Sequence, residues 1–372
     1  MGCTVVLDVG KTSAKLCAVD ASGKLLAERR RANAVLAGPP YPHLDVEGIF
    51  GWAIEGLARI SADHAVDAVV PVAHGACAAL LAGSALALPV LDYEFAGVAE
   101  FDAEYEPLAR DFAATRSPRL PAGLNLGRQL FWLERRFPAE FARVTDILLW
   151  PQYWSWRLGG AKCTEVTSLG CHTDLWQPSA RGFSRLARER GWAARFPPLA
   201  PAWRRTGNVL AGAHDSNASY LAHRAARTAP FVVVSTGTWF VCLAHGALLD
   251  RLDPSQDMLA NVDVHGEPVA TARFMGGREF ESTSATLGAT RAAEQLASRT
   301  AECLDRLGAL GDVIVEGPFA RDGAYCSALA ALRMPQPVWS SDDSTGTVAG
   351  ACLLASWPTR VREPKLTRRH SR

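Results

Sequence analysis

The 372-residue sequence predicts an α/β fold divided into two domains, and three observations carry that prediction. The chain is more than twice the length of an ordinary domain of about 150 residues. Short β-branched runs alternate with apolar residues at helical spacing along most of its length. A strand, a tight glycine turn and a second strand near the N-terminus recur once, when Gly237 is laid over Gly10.

Residues 4–9, 14–19 and 25–28 read as three strands, the last two joined by Ala21-Ser22-Gly23-Lys24, so the chain opens on an antiparallel meander. A Gly-Pro-rich loop at 38–42 precedes a helix predicted over 46–63 and a strand over 68–72. Residues 76–91 are apolar but too short to span a membrane, and Gly83-Ser84 punctuates them like a hairpin turn. Leu130, Leu133, Phe137 and Phe141 keep helical spacing and predict a helix over 129–143. The first domain is expected to span 1–226 and the second 227–358, with 359–372 a basic, solvated tail. In the second domain Val232-Val233-Val234 fall over Val5-Val6-Leu7, and a single repeat implies a duplicated domain, not a solenoid.

Hydrophobic residues make up 48% and charged residues 21% of the chain, which is enough apolar surface for a full core. A formal charge of +1 supplies no broad basic field, so neither nucleic acid nor a membrane surface is an expected partner. The nine cysteines are odd in number and dispersed without C-x-x-C spacing, and they read as reduced thiols. Cys163, Cys171 and His172 match no zinc-ligand spacing. Nothing at the N-terminus resembles a secretion signal, and the cytoplasm is the expected compartment.

Gly10-Lys11-Thr12 ends like a Walker A loop, but that loop needs glycine at position 5, where Val5 lies inside a strand. The motif reads instead as a β-turn whose amides and Thr12 hydroxyl point at phosphate oxygens, with Asp8 facing Mg²⁺ and Lys15 neutralising charge. An ordinary Asp-x-Gly hairpin is the alternative. Thr236-Gly237-Thr238 offers the same chemistry from the second domain, and two such turns could hold one polyphosphate. Asp215, after an apolar segment ending in His214, suits either a reactive carboxylate or a helix N-cap. Seven of the eleven tryptophans lie between Trp132 and Trp203; aromatic faces can stack on sugars, but core is the better reading.

Asp8-Val9-Gly10-Lys11-Thr12 with Lys15, His214-Asp215, Ser235-Thr236-Gly237-Thr238-Trp239 and Met275-Gly276-Gly277-Arg278-Glu279-Phe280 together resemble the FGGY carbohydrate kinases. Glu316-Gly317-Pro318-Phe319 and Gly346-Thr347-Val348-Ala349-Gly350-Ala351 extend the resemblance in family order over nearly the whole chain, closest in flavour to rhamnulokinase and fuculokinase relatives. It implies two actin-like, ribonuclease H-like lobes, with ATP, Mg²⁺ and a small sugar in a cleft between them. Asp215 would be the general base and, with Asp8, a metal ligand. Gly10, Lys11, Thr12, Lys15, Thr236, Gly237, Thr238 and Gly317 would contact the nucleotide. His74, Gly75, Asp92, Tyr93, Tyr153, His172, His214 and Asp215 would line the sugar site. Where the chain oligomerises, a homodimer is the expected form.

The chain departs from the resemblance in two places. Its second lobe is short, with 31 residues between Glu281 and Val313, and Pro318 removes an amide where the family has a Gly-Gly turn toward adenine. The competing expectation is a non-catalytic nucleotide or sugar sensor of the same fold.

Overall fold

The computed structural model describes residues 2–109, 111–341, 346–356 and 364–371. Within them the chain forms two compact units. The first holds Met1–Ala218, Val262–Glu267 and the described part of Thr347–Arg360; the second holds Ser219–Asn261, Pro268–Gly346 and the described part of Val361–Arg372.

In the first unit β1 (Cys3–Val9), β2 (Ser13–Asp20) and β3 (Leu25–Ala32) form the expected meander, and α1 (Val46–Asp63) leads to β4 (Val66–Ala73), which pairs parallel with β1. Val5, Leu7 and Leu16 are fully buried against the apolar face of α1, where Val46, Ile49, Ala53 and Ile60 keep the helical period. Asp45 caps that helix by accepting from the Gly48 amide at 3.0 Å. The hairpin β5 (Ala78–Ala82) and β6 (Ala85–Leu86) turns at Gly83-Ser84.

The helix expected over 129–143 is two helices, α2 (Leu126–Arg136) and α3 (Pro138–Ala142). Pro138 has no amide hydrogen to continue the first, and it starts the second at a position where none is needed. After β7 (Asp146–Leu149) come α4 (Trp150–Arg157) and α5 (Val166–Leu169). Trp132, Trp150, Trp154, Trp176 and Trp192 are buried in the cores of this unit, each removing roughly 200 Å² from water.

The short strands β8 (Arg205–Thr206), β9 (Val209–Leu210) and β10 (Ala213–His214) finish the sheet, whose order is β8-β9-β4-β1-β2-β3 with β10 also on β4. Gly212 enters β10 at φ +79°, and a Cβ there would stand 2.0 Å from the Pro71 carbonyl oxygen, so no other residue fits this approach. Helix α6 (Asp215–Arg224) follows at once. The units divide within it, between Ala218 and Ser219, not at 226 as the sequence suggested, because the second half of the helix packs with the second unit.

The second unit repeats the plan. Strands β11 (Phe231–Ser235) and β12 (Phe240–His245) pair antiparallel, followed by β13 (Met258–Val262) and β14 (Pro268–Phe274). Helices α7 (Gly276–Leu287) and α8 (Ala289–Leu307) precede β15 (Asp312–Glu316), which is parallel to β11 as β4 is to β1. Then come α9 (Gly323–Leu332), β16 (Val338–Ser341) and α10 (Gly346–Ser356). Residues from Thr347 belong with the first unit.

The expected tail is not all solvated coil. Leu366–Arg369 forms β17, antiparallel to β16, and Arg369 donates from Nε to the Ser340 hydroxyl at 2.7 Å. Residues 357–363 and 372 of that expectation lie outside the described residues. All nine cysteines are free, and among the described residues no helix is long and apolar enough to cross a membrane.

Candidate active site

Strand register gathers the first unit's candidates at one sheet edge. Val9 pairs with Ala73, and Ala73 with His214, so Gly10, His74-Gly75 and Asp215 leave the ends of three adjacent strands at one level. Ligands of α/β sheets gather at such carboxyl ends. One residue earlier, Asp8 pairs with Lys15 and Lys15 with Arg30, which puts these three side chains on one face.

Gly10 closes a turn by donating to the Ser13 carbonyl at 3.0 Å, and Thr12 is exposed at its tip. Asn33 braces the turn from β3, with Nδ2 donating to the Gly10 carbonyl at 2.8 Å and its amide to the Thr12 carbonyl at 2.9 Å. Burial, then the neighbouring charge of Asp215, push the Asp8 carboxyl up to about 7 against the pull of Lys15 and Arg30. Asn33 and Arg30 belong to no motif, and strand pairing alone reveals them.

Asp215 opens α6. Its Oδ1 accepts from the Ser216 amide at 2.6 Å and lies 3.3 Å from His214 Nε2. That same imidazole nitrogen is 3.7 Å from the Cys171 sulfur, and Asn217 faces its Nδ1 at 3.0 Å. Burial opposes a charge on either ring or thiol, yet His172 and His214 draw the Cys171 thiol down while Cys171, then Asp215, draw His214 up. His74 is different. Burial pushes it down to about 4, and its Nδ1–H donates to the Gly75 carbonyl at 2.8 Å.

The His74 ring meets Tyr93 edge-on at 5.3 Å between centroids, and Lys11 Nζ sits 4.7 Å above the same tyrosine. His172, at φ +42°, donates from Nδ1 to the Leu124 carbonyl at 2.6 Å. The support behind these groups is a polar chain. Glu165 accepts from the Thr167 amide at 3.0 Å and its hydroxyl at 2.5 Å, and the Thr167 hydroxyl in turn accepts from the His214 amide at 2.9 Å.

In the second unit Ser235 pairs with Glu316, so Thr236 and Gly317 leave adjacent parallel strands side by side. Gly317 has φ +81°, and a Cβ would stand 2.1 Å from the Thr236 carbonyl oxygen. Thr238 is exposed in its turn, and its carbonyl accepts from the Gly277 amide at 3.2 Å. Among the described residues no three His, Cys, Asp or Glu side chains form a metal cluster.

A family model described as the C-terminal domain of the FGGY carbohydrate kinases matches residues 228–299 and 289–364. A carbohydrate kinase from Novosphingobium aromaticivorans is 34% identical, with TM-score 0.91, over 100% of this chain and 94% of that one. The chain belongs to the FGGY family of carbohydrate kinases. These enzymes are phosphotransferases. The FGGY fold, two actin-like lobes, is shared with a ligand-bound xylulose kinase from Lactobacillus acidophilus (12% identity, TM-score 0.81, 100% and 94% coverage). It is shared equally with a glycerol kinase with ADP from Plasmodium falciparum (10% identity, TM-score 0.78, 100% and 94%). No curated protein sequence matches the chain.

Three residues expected in the FGGY site are engaged elsewhere. Lys11, expected on phosphate, forms an ion pair with Asp92 and lies 3.6 Å from Glu94, because the two carboxylates face it across the loop after β6. Thr236 spends its hydroxyl inside its own unit, donating to the Glu316 carbonyl and accepting from the Phe319 amide at 3.1 Å. Tyr153, expected at the sugar, is a core residue. It stacks on Trp150 with 8° between the rings, and its hydroxyl accepts from Arg157 at 2.8 Å.

Proposed function

We propose that this FGGY kinase transfers the γ-phosphoryl group of ATP to a hydroxyl of a small sugar, a ketose, deoxyketose or polyol, with Asp215 as general base. The observation that carries this reading is the carboxylate pair Asp8 and Asp215, close enough that the charge of one raises the other, at a sheet edge shared with His74, Gly75 and His214. A sugar hydroxyl is a weak nucleophile, and a carboxylate within hydrogen-bond reach accepts its proton during in-line attack. Asp215 has one oxygen occupied by the Ser216 amide, which orients the carboxylate.

The hard carboxylate oxygens of Asp8 and Asp215 fit Mg²⁺, which takes one or two carboxylates plus phosphate oxygens and would neutralise phosphate charge. Thr12 and Lys15 from the first unit, and Gly237, Thr238 and Gly317 from the second, would hold the nucleotide. Lys11, paired with Asp92, would orient that carboxylate toward sugar hydroxyls instead of binding phosphate. The xylulose and glycerol kinases of like fold agree with a polyhydroxylated acceptor.

An ADP-release assay over L-rhamnulose, L-fuculose, xylulose, ribulose and glycerol tests the reading. One of them should support turnover, and Asp215→Asn should lower it roughly 10²- to 10⁴-fold with nucleotide binding intact. Near-normal turnover in that variant would sink the assignment. Thermal stabilisation by a sugar without ADP release would point to a sensor.

A further inference from the structure

Behind the nucleotide turn of the second unit lies a buried polar cluster that the proposed reaction does not use. Glu316 ends β15 with its side chain 5% exposed, and His223 of α6 is wholly buried beside it. His223 Nε2–H donates to Glu316 Oε1 at 2.7 Å, and the Ser219 hydroxyl donates to Oε2. Both oxygens of the carboxylate are thus anchored from one helix. Ser219 and His223 are four residues apart and share a helix face, and the same spacing reaches back to Asp215, the first residue of that helix.

The main chain of Glu316 faces the other way. Its carbonyl accepts both the Thr236 amide, at 3.0 Å, and the Thr236 hydroxyl. Thr236 opens the turn that continues through Gly237 and Thr238, and Gly317 lies against it with no room for a Cβ. Burying a carboxylate and an imidazole costs several kcal/mol, and apolar residues of the same volume would stabilise the unit as well or better. What a saturated polar cluster adds is a single fixed geometry.

We propose that Glu316 is a positioning residue for the nucleotide: its side chain, held by Ser219 and His223, fixes the main chain from which the Thr236-Gly237-Thr238 turn hangs. The inference rests on the reading of that turn as a nucleotide contact. It is specific to this chain's Glu316, Ser219 and His223, and it predicts an effect on nucleotide affinity that sugar affinity does not share.

The test is calorimetry of Mg·ADP binding to the full chain, with steady-state kinetics on the best sugar of the ADP-release panel. Glu316→Gln and Ser219→Ala should each raise the Kd for Mg·ADP and the KM for ATP about 3- to 30-fold, leaving the sugar KM within about twofold. Glu316→Ala should be worse than Glu316→Gln, which keeps the shape and one acceptor. Ser219→Ala removes a single oxygen and serves where a Glu316 variant does not fold. Thr238→Ala separates the two readings. If it leaves Mg·ADP affinity unchanged, the turn is not the nucleotide contact and the inference falls with it. If Thr238→Ala weakens Mg·ADP while Glu316→Gln and Ser219→Ala lower only the amount of active protein, at unchanged KM, the positioning role alone is refuted.

Discussion

Glu165→Gln should make the protein more stable at alkaline pH and not at acid pH. Glu165 is fully buried beneath the site, and burial pushes its carboxyl from an ordinary 4.5 up to about 7, although Thr167 donates to it twice. Its other oxygen, Oε1, has no hydrogen-bond partner among the described residues and is where a retained proton belongs. A folded-state value above the unfolded one means that the stability tied to the protonated group is complete below pH 4.5 and is lost as pH rises through 7. At about 1.36 kcal/mol per pH unit, the ionised carboxylate destabilises the fold by roughly 3 kcal/mol at pH 8.5. Glutamine keeps the acceptor for Thr167 and cannot ionise. Denaturant unfolding followed by tryptophan fluorescence reports on the first unit, because eight of the eleven tryptophans lie within its residues 1–218. The variant should gain about 2–3 kcal/mol over wild type between pH 5 and pH 8.5. A difference that stays flat within about 0.5 kcal/mol across that range would show that Glu165 is ionised throughout, and the reasoning from burial would fail.

Two further substitutions address the nucleotide turn and the sugar site. Gly317→Ala places a Cβ 2.1 Å from the Thr236 carbonyl at φ +81°, and should cost about 1–3 kcal/mol in stability and weaken Mg·ADP binding at least tenfold, read by thermal melts and calorimetry. Affinity equal to wild type would remove Gly317 from the site. Tyr153→Phe deletes a hydroxyl that accepts only from Arg157, so the sugar KM should stay within twofold and stability should fall by about 1 kcal/mol or less. A large rise in the sugar KM would return Tyr153 to the substrate.

Strand register was the most legible layer, because alternation and turn residues write it locally. The meander of β1 to β3 and its echo in β11 and β12 follow from Val-rich runs broken by Gly10 and Gly237, and the register of those runs brings Gly10, His74 and Asp215 to one edge. The helix break at Pro138 was written in the sequence as well, since a proline inside an apolar period ends a helix, and the period alone hid it. The domain boundary was less legible: α6 is one uninterrupted helix, so no turn residue marks the change of unit at Ala218.

Side-chain commitments were the layer least open to sequence reasoning. Lys11 and Thr236 each sit in a motif that suits phosphate, and a motif gives residue type and spacing but not the competing partner. For Lys11 that partner is Asp92, 81 residues away; for Thr236 it is the Glu316 carbonyl, 80 residues away. Both partners arrive by tertiary structure. The competition has a physical direction: a buried or half-buried polar group without a partner costs more than a hydrogen bond gains, so each takes the nearest acceptor the fold supplies. Thr12 and Thr238, the exposed hydroxyls of the two turns, meet no such demand, and they are the ones left to bind a ligand. The distribution of labour within each turn therefore follows burial: the covered residue shapes the loop, and the uncovered one faces the substrate.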